Sequence, residues 1–263
     1  MPVNTTTDAA WFPPCRAERA DDPVARPDAI ALFCLPHAGA GASMYWEWAP
    51  LLAPDVDVVP IQLPGRESRY KELPRRSAFD LTAELIEPLA DRVGLNFALF
   101  GHSMGALLGY ELAWALAARG TPPRHLFVSG HLAPHLEPAR RDTHLLPDPE
   151  LLAVIEELEG TSAEVLAHPE LVRLMLPVMR ADLEVCESYS HLHESALPVP
   201  ITALGGLSDP RVSVKEMRAW QYVTSADFEA KFFPGGHFYL HTLRDEVIAA
   251  LLARLSGTSA GPW

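Results

Sequence analysis

The 263-residue sequence has only three cysteines, scattered at Cys15, Cys34 and Cys186. An odd, dispersed set argues against a disulfide framework and is typical of a reducing compartment, so we expect a cytoplasmic protein. The sequence also lacks metal-site Cys/His spacing and a glycine-rich phosphate loop, which predicts neither a metal nor a cofactor. It has no apolar run of about 18 residues and no basic start followed by an apolar stretch, which predicts no transmembrane helix and no secretory signal.

Positive charge is scarce, because 34 acidic residues stand against 21 Lys and Arg, for a net charge of −13. This balance argues against a nucleic-acid partner. We expect no membrane partner either, and a monomer. The acidic excess is concentrated in residues 142–194, which hold 12 acidic and two basic residues, whereas residues 65–76 hold five basic and two acidic residues. We call residues 65–76 the basic segment.

What the sequence does contain is a serine between two glycines, directly after an apolar segment. Gly101, Ser103 and Gly105 form a Gly-x-Ser-x-Gly motif, preceded by a predicted strand and followed by a helical pattern. In that context the motif is the nucleophile elbow of a serine hydrolase. The glycines are needed because the serine sits on a tight, strained turn that leaves little room for neighbouring side chains.

Two residues downstream complete a catalytic set in the order serine, acid, histidine. Asp209 and His237 each fall on a loop just past a predicted strand, where open α/β sheets place their sites. We expect Ser103 to attack an acyl carbonyl, His237 to take its proton, and Asp209 to orient the imidazole. The competing carboxylates are Asp182, which lies in a helical pattern, and Asp227, which precedes a strand.

An oxyanion intermediate needs two backbone N–H donors. We predict that Met104 supplies one and that Ala38, in the loop at 36–41 after the first long strand, supplies the other, with Gly39 as the alternative. His102 is expected to pack beside the elbow.

Four further residues are candidates for substrate binding. His37 precedes the predicted oxyanion donor, and His131 follows a strand. Met175 and Met179 offer a soft, adaptable wall, although their helical spacing is equally typical of plain core.

Alternating strand and helix patterns predict an α/β class chain with the α/β-hydrolase fold, a mostly parallel central sheet flanked by helices. We assign the core to residues 28–133 and 198–256. Residues 134–197 break the alternation and read as several short helices, a helical lid insertion over the carboxyl ends of the strands. Residues 1–27 are expected to be extended or partly disordered, and residues 257–263 to be a loose tail.

Several segments together make the chain resemble the type II thioesterases of polyketide and nonribosomal peptide synthesis. They are Leu-Pro-His-Ala-Gly at 35–39, Gln-Leu-Pro-Gly-Arg-Glu at 62–67, Phe-Gly-His-Ser-Met-Gly at 100–105, Gly-Gly at 205–206 and Pro-Gly-Gly-His-Phe at 234–238. The resemblance covers residues 11–255. One departure is Ala40, where a second glycine is expected; Gly41 follows it.

The resemblance implies an editing thioesterase that clears short or aberrant acyl groups from the phosphopantetheine arm of acyl or peptidyl carrier proteins. Carrier proteins are generally acidic, so the basic segment is the predicted docking patch, with Arg66, Arg69 and Arg75 as its cations. The alternative is a solvated loop without a partner.

Three rival interpretations remain open. A general carboxylesterase or lipase-like hydrolase would prefer oxygen esters and need no carrier, and an acyltransferase would use an alcohol or amine in place of water. A catalytically silent carrier-binding scaffold is opposed by the complete triad. Ser103 excludes dehalogenases and epoxide hydrolases, which need a carboxylate at that position.

Overall fold

The computed structural model describes residues 10–15, 29–94, 96–138, 142–157 and 163–257. Its centre is a six-stranded sheet with strand order β2-β1-β3-β4-β5-β6, in which every neighbouring pair is parallel. The strands are β1 Ile30–Leu35, β2 Val56–Pro60, β3 Phe97–His102, β4 Leu126–Ser129, β5 Ile201–Gly206 and β6 Phe228–Phe233.

Helices flank this sheet. The α-helices of the described residues are α1 Ala49–Leu52, α2 Ala78–Arg92, α3 Met104–Ala118, α4 Asp148–Glu157, α5 Ala163–Leu166, α6 Pro169–Glu187, α7 Val214–Arg218, α8 Tyr239–Thr242 and α9 Arg244–Leu255. Short 3₁₀ turns cover Ala42–Trp48, Glu67–Arg69, Thr143–Leu145 and Ala219–Val223. The α/β-hydrolase architecture expected from the sequence is therefore the one observed.

Both faces of the sheet are buried, as is usual for parallel sheets. Successive strand residues point to opposite faces, so Phe33 joins the apolar cluster under α2 and α3, whereas Leu32 joins the cluster under α9. This two-sided burial explains why β1 and β3 are almost continuously apolar.

The strand order places a crevice where the site is expected. From β1 the chain moves to β2 on one side, and from β3 it moves through β4 and β5 to β6 on the other. The loops after β1 and β3 therefore diverge at their adjacent carboxyl ends, the position at which open α/β sheets bind ligands.

Between β4 and β5 the chain forms α4, α5 and α6, in the region predicted as the lid. We call them the lid helices, and their role as a lid stays a prediction. These helices share a small apolar cluster of their own, built from Leu151, Ile155, Leu176, Met179 and Leu183. Ala38 packs against that cluster, which joins the lid helices to the loop after β1. Whether the lid opens stays a prediction.

Two residues near the start of the chain are anchored to the core. Trp11 and Phe12 are buried; the Trp11 carbonyl accepts the Gln62 N–H at 2.8 Å, and Phe12 packs edge-on against Phe33. Most of the predicted extended segment at 1–27 and of the predicted tail at 257–263 lies outside the described residues. In the described part of the chain, no helix has both the length and the apolar character that crossing a membrane requires.

Candidate active site

Ser103 lies between the end of β3 and the start of α3, with φ 53° and ψ −121°. That backbone conformation is strained for a residue with a side chain. The flanking glycines make it possible, because a Cβ on Gly101 would come within 2.0 Å of the Gly105 carbonyl oxygen. A Cβ on Gly105 would come within 2.2 Å of the Leu35 carbonyl oxygen, at the end of β1.

Asp209 and His237 are brought together at the ends of β5 and β6. The His237 Nδ1 atom lies 2.8 Å from Asp209 Oδ2, and both side chains are almost fully buried. The other carboxylate oxygen, Oδ1, accepts the backbone N–H groups of Arg211 and Val212 at 2.8 and 3.3 Å. The loop after β5 thus holds the carboxylate in one orientation against the imidazole.

Ser103 and His237 line the same cavity, which has a volume of about 340 Å³. We call it the Ser103 cavity. Within the described residues, His237 is hydrogen-bonded to Asp209 but not to the Ser103 hydroxyl. Such bonds are often looser without substrate, so we expect a small side-chain rotation to close this contact.

The loop at 36–41 forms one wall of the Ser103 cavity. Ala38 lines the cavity, whereas the N–H of Gly39 donates to the Asp182 carboxylate at 2.7 Å and that of Ala40 donates to the His37 carbonyl at 3.1 Å. The Gly39 donor is therefore occupied, which favours Ala38 over Gly39 as the second oxyanion donor. Met104 is the first residue of α3, where helical N–H groups have no intrahelical partner.

Two histidines predicted near the substrate line the Ser103 cavity as neutral groups. Burial lowers the pKa of His37 to about 4, and its Nδ1–H donates to the Ala38 carbonyl at 2.9 Å. Burial also lowers the pKa of His131 to about 4, and its Nδ1–H donates to the Leu132 carbonyl at 2.7 Å. The cavity wall beside Ser103 therefore carries no imidazolium charge from these residues at neutral pH.

His102 packs behind the elbow, as predicted. Its ring lies 5.0 Å from that of His237, and its Nδ1 atom lies 2.8 Å from the Ser129 hydroxyl, which is 2.7 Å from the Tyr239 hydroxyl. Burial lowers the pKa of His102 well below its usual value. A neutral ring therefore supports His237 from behind.

The two predicted methionines have different positions. Met179 lines the Ser103 cavity. Met175 is part of the apolar cluster of the lid helices and is not among the residues that line the cavity.

The structure corrects the predicted docking patch. Arg66 and Arg69 are only 7% and 8% exposed, so neither offers a free cation to a partner. Arg66 is paired with Asp182, and Arg69 is paired with Glu72 and stacked on the Trp11 ring at 4.0 Å.

The third predicted docking cation, Arg75, is more exposed than the other two but is bonded to Glu84 at 2.5 Å. The basic excess of the sequence is thus largely neutralised by neighbouring carboxylates, which a local count of charge does not reveal.

Two residues with site contacts were not predicted. Arg211 lines the Ser103 cavity and is exposed, and its position two residues after Asp209 was the available signal. Asp182 is a buried carboxylate that bonds to the loop at 36–41. It lies three residues after Met179 on the apolar stripe of α6, and a charged residue on such a stripe indicates a buried ion pair.

A parallel sheet with a serine on a strained turn and a buried Asp–His pair at the adjacent strand ends defines the class of α/β-hydrolase fold proteins. Residues 31–255 match the family model described as "Thioesterase domain". The chain therefore belongs to the thioesterase family, whose members hydrolyse thioesters.

Individual relatives agree with this assignment. The chain is 39% identical to the gramicidin S biosynthesis protein GrsT of Aneurinibacillus migulanus, over 86% of this chain and 89% of that protein. It is 37% identical to the thioesterase PikA5 of Streptomyces venezuelae, over 89% and 84% of the two chains. The solved structure of BorB, a type II thioesterase from the borrelidin biosynthetic cluster, is 39% identical, with a TM-score of 0.85 over 94% of this chain and 98% of that chain.

Proposed function

We propose that this protein is a type II thioesterase that hydrolyses acyl groups from the phosphopantetheine arm of acyl or peptidyl carrier proteins. The observation that carries the proposal is the buried Asp209–His237 pair at 2.8 Å beside a strained Ser103 on one cavity, in a chain of the thioesterase family. Related solved structures of proteins from combined nonribosomal peptide and polyketide (NRPS/PKS) pathways support the choice of carrier-bound substrates.

In the proposed mechanism, His237 removes the proton from the Ser103 hydroxyl as it attacks the thioester carbonyl. The carbonyl oxygen becomes negative and is stabilised by the N–H groups of Ala38 and Met104. Asp209 fixes the imidazole tautomer and stabilises the imidazolium. The phosphopantetheine thiol then leaves with the proton from His237, and a water molecule activated by His237 hydrolyses the acyl-Ser103 ester.

The walls of the cavity indicate how acyl groups are selected. Neutral His37 and His131, together with the flexible Met179 side chain, present an uncharged and adaptable surface. In an apolar pocket, one methylene changes binding by about 1–3 kcal/mol. We therefore propose that the enzyme accepts a range of short or aberrant acyl groups rather than a single chain.

We propose that the negative phosphate end of the carrier's arm passes Arg211. This side chain is exposed, lines the Ser103 cavity, and forms no ion pair with the described residues. Its backbone N–H is bonded to Asp209, so the cation is tied to the loop that carries the proposed catalytic acid.

Two of the carboxylates that line the Ser103 cavity, those of Glu187 and Glu216, are already bonded to other groups. Glu187 accepts hydrogen bonds from the backbone N–H groups of Thr143 and His144, and Glu216 accepts from Ser213.

The Arg211→Glu variant tests this route. We expect the KM for an acyl carrier to rise about tenfold, because a favourable contact with a phosphate becomes a repulsive one. The kcat/KM for a short N-acetylcysteamine thioester, which lacks the phosphate, should change less than twofold. Lys215→Glu is the matched control, since Lys215 is exposed on α7 but does not line the cavity. Equal effects of the two variants, or an equal effect on both substrates, would refute the role of Arg211.

The experiment for the whole proposal compares hydrolysis of one short acyl group on a phosphopantetheinylated carrier protein, on coenzyme A and as a p-nitrophenyl ester. We expect the carrier to be preferred by at least about tenfold in kcat/KM, and Ser103→Ala to reduce kcat by roughly 10⁴-fold or more on every substrate. Equal or better turnover of the p-nitrophenyl ester would instead identify a general carboxylesterase. Transfer of the acyl group to an added alcohol or amine in place of water would identify an acyltransferase.

A further inference from the structure

The Asp182 carboxylate lies in the middle of α6 and is fully buried. Its Oδ2 atom accepts the backbone N–H of Gly39 at 2.7 Å and the Nη1 group of Arg66 at 2.5 Å, while its Oδ1 atom accepts Nη2 of Arg66 at 2.8 Å. One carboxylate thus connects a lid helix, the loop after β1 and the loop after β2.

Arg66 is itself fixed in place. Its Nε and Nη2 groups donate to the Pro64 carbonyl at 3.3 and 3.2 Å, and Nη1 also lies 3.4 Å from the Ala40 carbonyl oxygen. A buried ion pair adds little net stability, because desolvation offsets most of the attraction. The rigid two-pronged contact does, however, fix the direction of the bond from Asp182 to Gly39.

The peptide unit between Ala38 and Gly39 is held at both ends. Its carbonyl, on Ala38, accepts the His37 Nδ1–H at 2.9 Å, and its N–H, on Gly39, donates to Asp182 at 2.7 Å. Because the peptide unit is planar, holding both ends fixes its orientation. The only freedom left to the preceding Ala38 N–H is rotation about the two bonds of Ala38 itself.

The loop at 36–41 also packs closely against α6 at Gly39. Gly39 has φ +80°, and a Cβ at this position would lie 2.5 Å from the Met179 methyl carbon on α6. The loop therefore lies directly against the lid helix at the residue whose N–H Asp182 accepts.

We infer that Asp182 is a positioning residue for the oxyanion hole, and that through it the lid helix α6 sets the direction of the Ala38 N–H. The inference rests on the proposed function, because it assumes that Ala38 stabilises an oxyanion. Asp182 touches no reacting atom. Its effect on the reaction is exerted through Gly39, with Arg66 as the group that holds it.

The test uses Asp182→Asn in the full-length protein. The amide has the size of the carboxylate but only one acceptor oxygen, so it cannot keep all three contacts. We expect kcat for the acyl carrier to fall by about ten- to a hundredfold, less than or comparable to the loss of a whole oxyanion donor. The KM should change less than twofold, because the ground-state carbonyl depends little on this N–H. Asp182→Ala, which removes every contact, should lose at least as much.

A short-chain trifluoromethyl ketone provides the readout that a merely structural role would not alter. Ser103 adds to this ketone to form a stable oxyanion, so its affinity reports the oxyanion hole directly. We expect its Ki to rise by the same factor by which kcat falls. Rates are expressed per active site, counted by complete reaction with an irreversible phosphonate, so that misfolded protein does not lower the apparent kcat.

Glu184→Gln is the matched control on the same helix. Glu184 bonds to Arg76 near the surface, two residues after Asp182, and its variant should leave kcat, KM and Ki unchanged. If Asp182→Asn has normal kcat and Ki per active site, or if kcat falls while Ki is unchanged, the inference is wrong. If the unmodified protein itself does not hydrolyse thioesters, it is the proposed function that fails.

Discussion

Ser103 shows how single residues with unusual surroundings build this site. Its φ of 53° stores strain, of the order of 1–3 kcal/mol for such residues. The turn that holds this conformation brings the start of α3 close to the end of β1. Gly105 lies at that approach, with two backbone carbonyls in the place of its missing Cβ. Ala38, the proposed oxyanion donor, follows the same stretch of chain, so this approach also determines the distance between the two proposed N–H donors.

The Gly105→Ala variant tests the importance of that approach. The added methyl would lie 2.2 Å from the Leu35 carbonyl oxygen and 2.8 Å from that of Pro36, and backbone atoms cannot easily yield. We expect a loss of about 1–3 kcal/mol or more in the free energy of unfolding, which lowers Tm by roughly 2–12 °C for a chain of this size. The change should also reduce kcat, because it separates Met104 from Ala38.

Gly109 on the same helix provides the control. A Cβ there would lie 3.3 Å from the Leu126 Cδ1 atom, a side-chain atom that can adjust, and alanine is the better helix former. Gly109→Ala should keep Tm and kcat near the starting values. A Gly105→Ala protein with the Tm and kcat of the Gly109→Ala protein would contradict the steric argument, and thermal denaturation followed by circular dichroism decides it.

The sequence predicted the positions of the proposed catalytic residues more reliably than the environment of the arginines. Ser103, Asp209 and His237 follow strands, and strand ends are recognisable from local patterns. The exposure of Arg66 and Arg69 depends on contacts with Asp182 and Trp11, which lie far away in the chain. A local count of charge therefore predicted a cationic surface where the structure has buried, paired side chains.

At the scale of helices and strands, local sequence signals predict the bounds of those elements that tertiary contacts do not shorten or interrupt. The helical pattern after the elbow predicts a helix from about Met104 to Ala118, and an apolar pattern predicts a strand over 228–233; α3 and β6 have those bounds in the structure. Ser77 precedes an amphipathic pattern over 79–92, which predicts an N-cap; in the structure it caps α2 and accepts the Asp80 N–H at 3.3 Å.

Other elements are shorter than the patterns indicated. The sequence pattern predicts one helix over 214–223, where the structure has α7 followed by a 3₁₀ turn. The sequence pattern also predicts one helix over 238–255, which the structure divides at Leu243 into α8 and α9. Apolar periodicity continues through these breaks, so periodicity alone could not locate them. The sequence Thr-Ser-Ala-Glu at 161–164 predicts a capping box, but its first two positions lie outside the described residues.

The lid helix α6 illustrates how an element gains a role through one residue. Its apolar stripe predicts only packing, and Met179, Leu183 and their neighbours do pack in the lid cluster. A charged residue on the buried side of α6, Asp182, joins the helix to the loop at 36–41. A lid movement that shifted α6 would therefore also shift the proposed oxyanion donor, which would couple opening to loss of activity.

At the scale of the whole molecule, the net charge of −13 controls the approach of an acidic partner. Such a charge repels carriers of the same sign over the Debye length, which falls from about 30 Å at 0.01 M salt to about 8 Å at 0.15 M. The free arginine at the cavity, Arg211, acts only at short range. Salt therefore changes kcat/KM in opposite directions through the two effects. Screening of the repulsion between the molecules raises kcat/KM, whereas weakening of the local contact with phosphate lowers it.

We expect the long-range repulsion to dominate, since the local attraction comes from the single side chain of Arg211, whereas the whole chain carries a net charge of −13. The kcat/KM for an acyl carrier should then rise by about two- to tenfold between 10 and 150 mM NaCl, at or below the lower end of the roughly 10- to 10³-fold by which electrostatic steering changes association rates. A neutral p-nitrophenyl ester should show no such rise. A carrier kcat/KM that falls with salt would mean that an attractive patch guides docking. If Arg211→Glu removed that fall, the patch would be Arg211 itself; if it did not, the attraction would lie elsewhere on the surface.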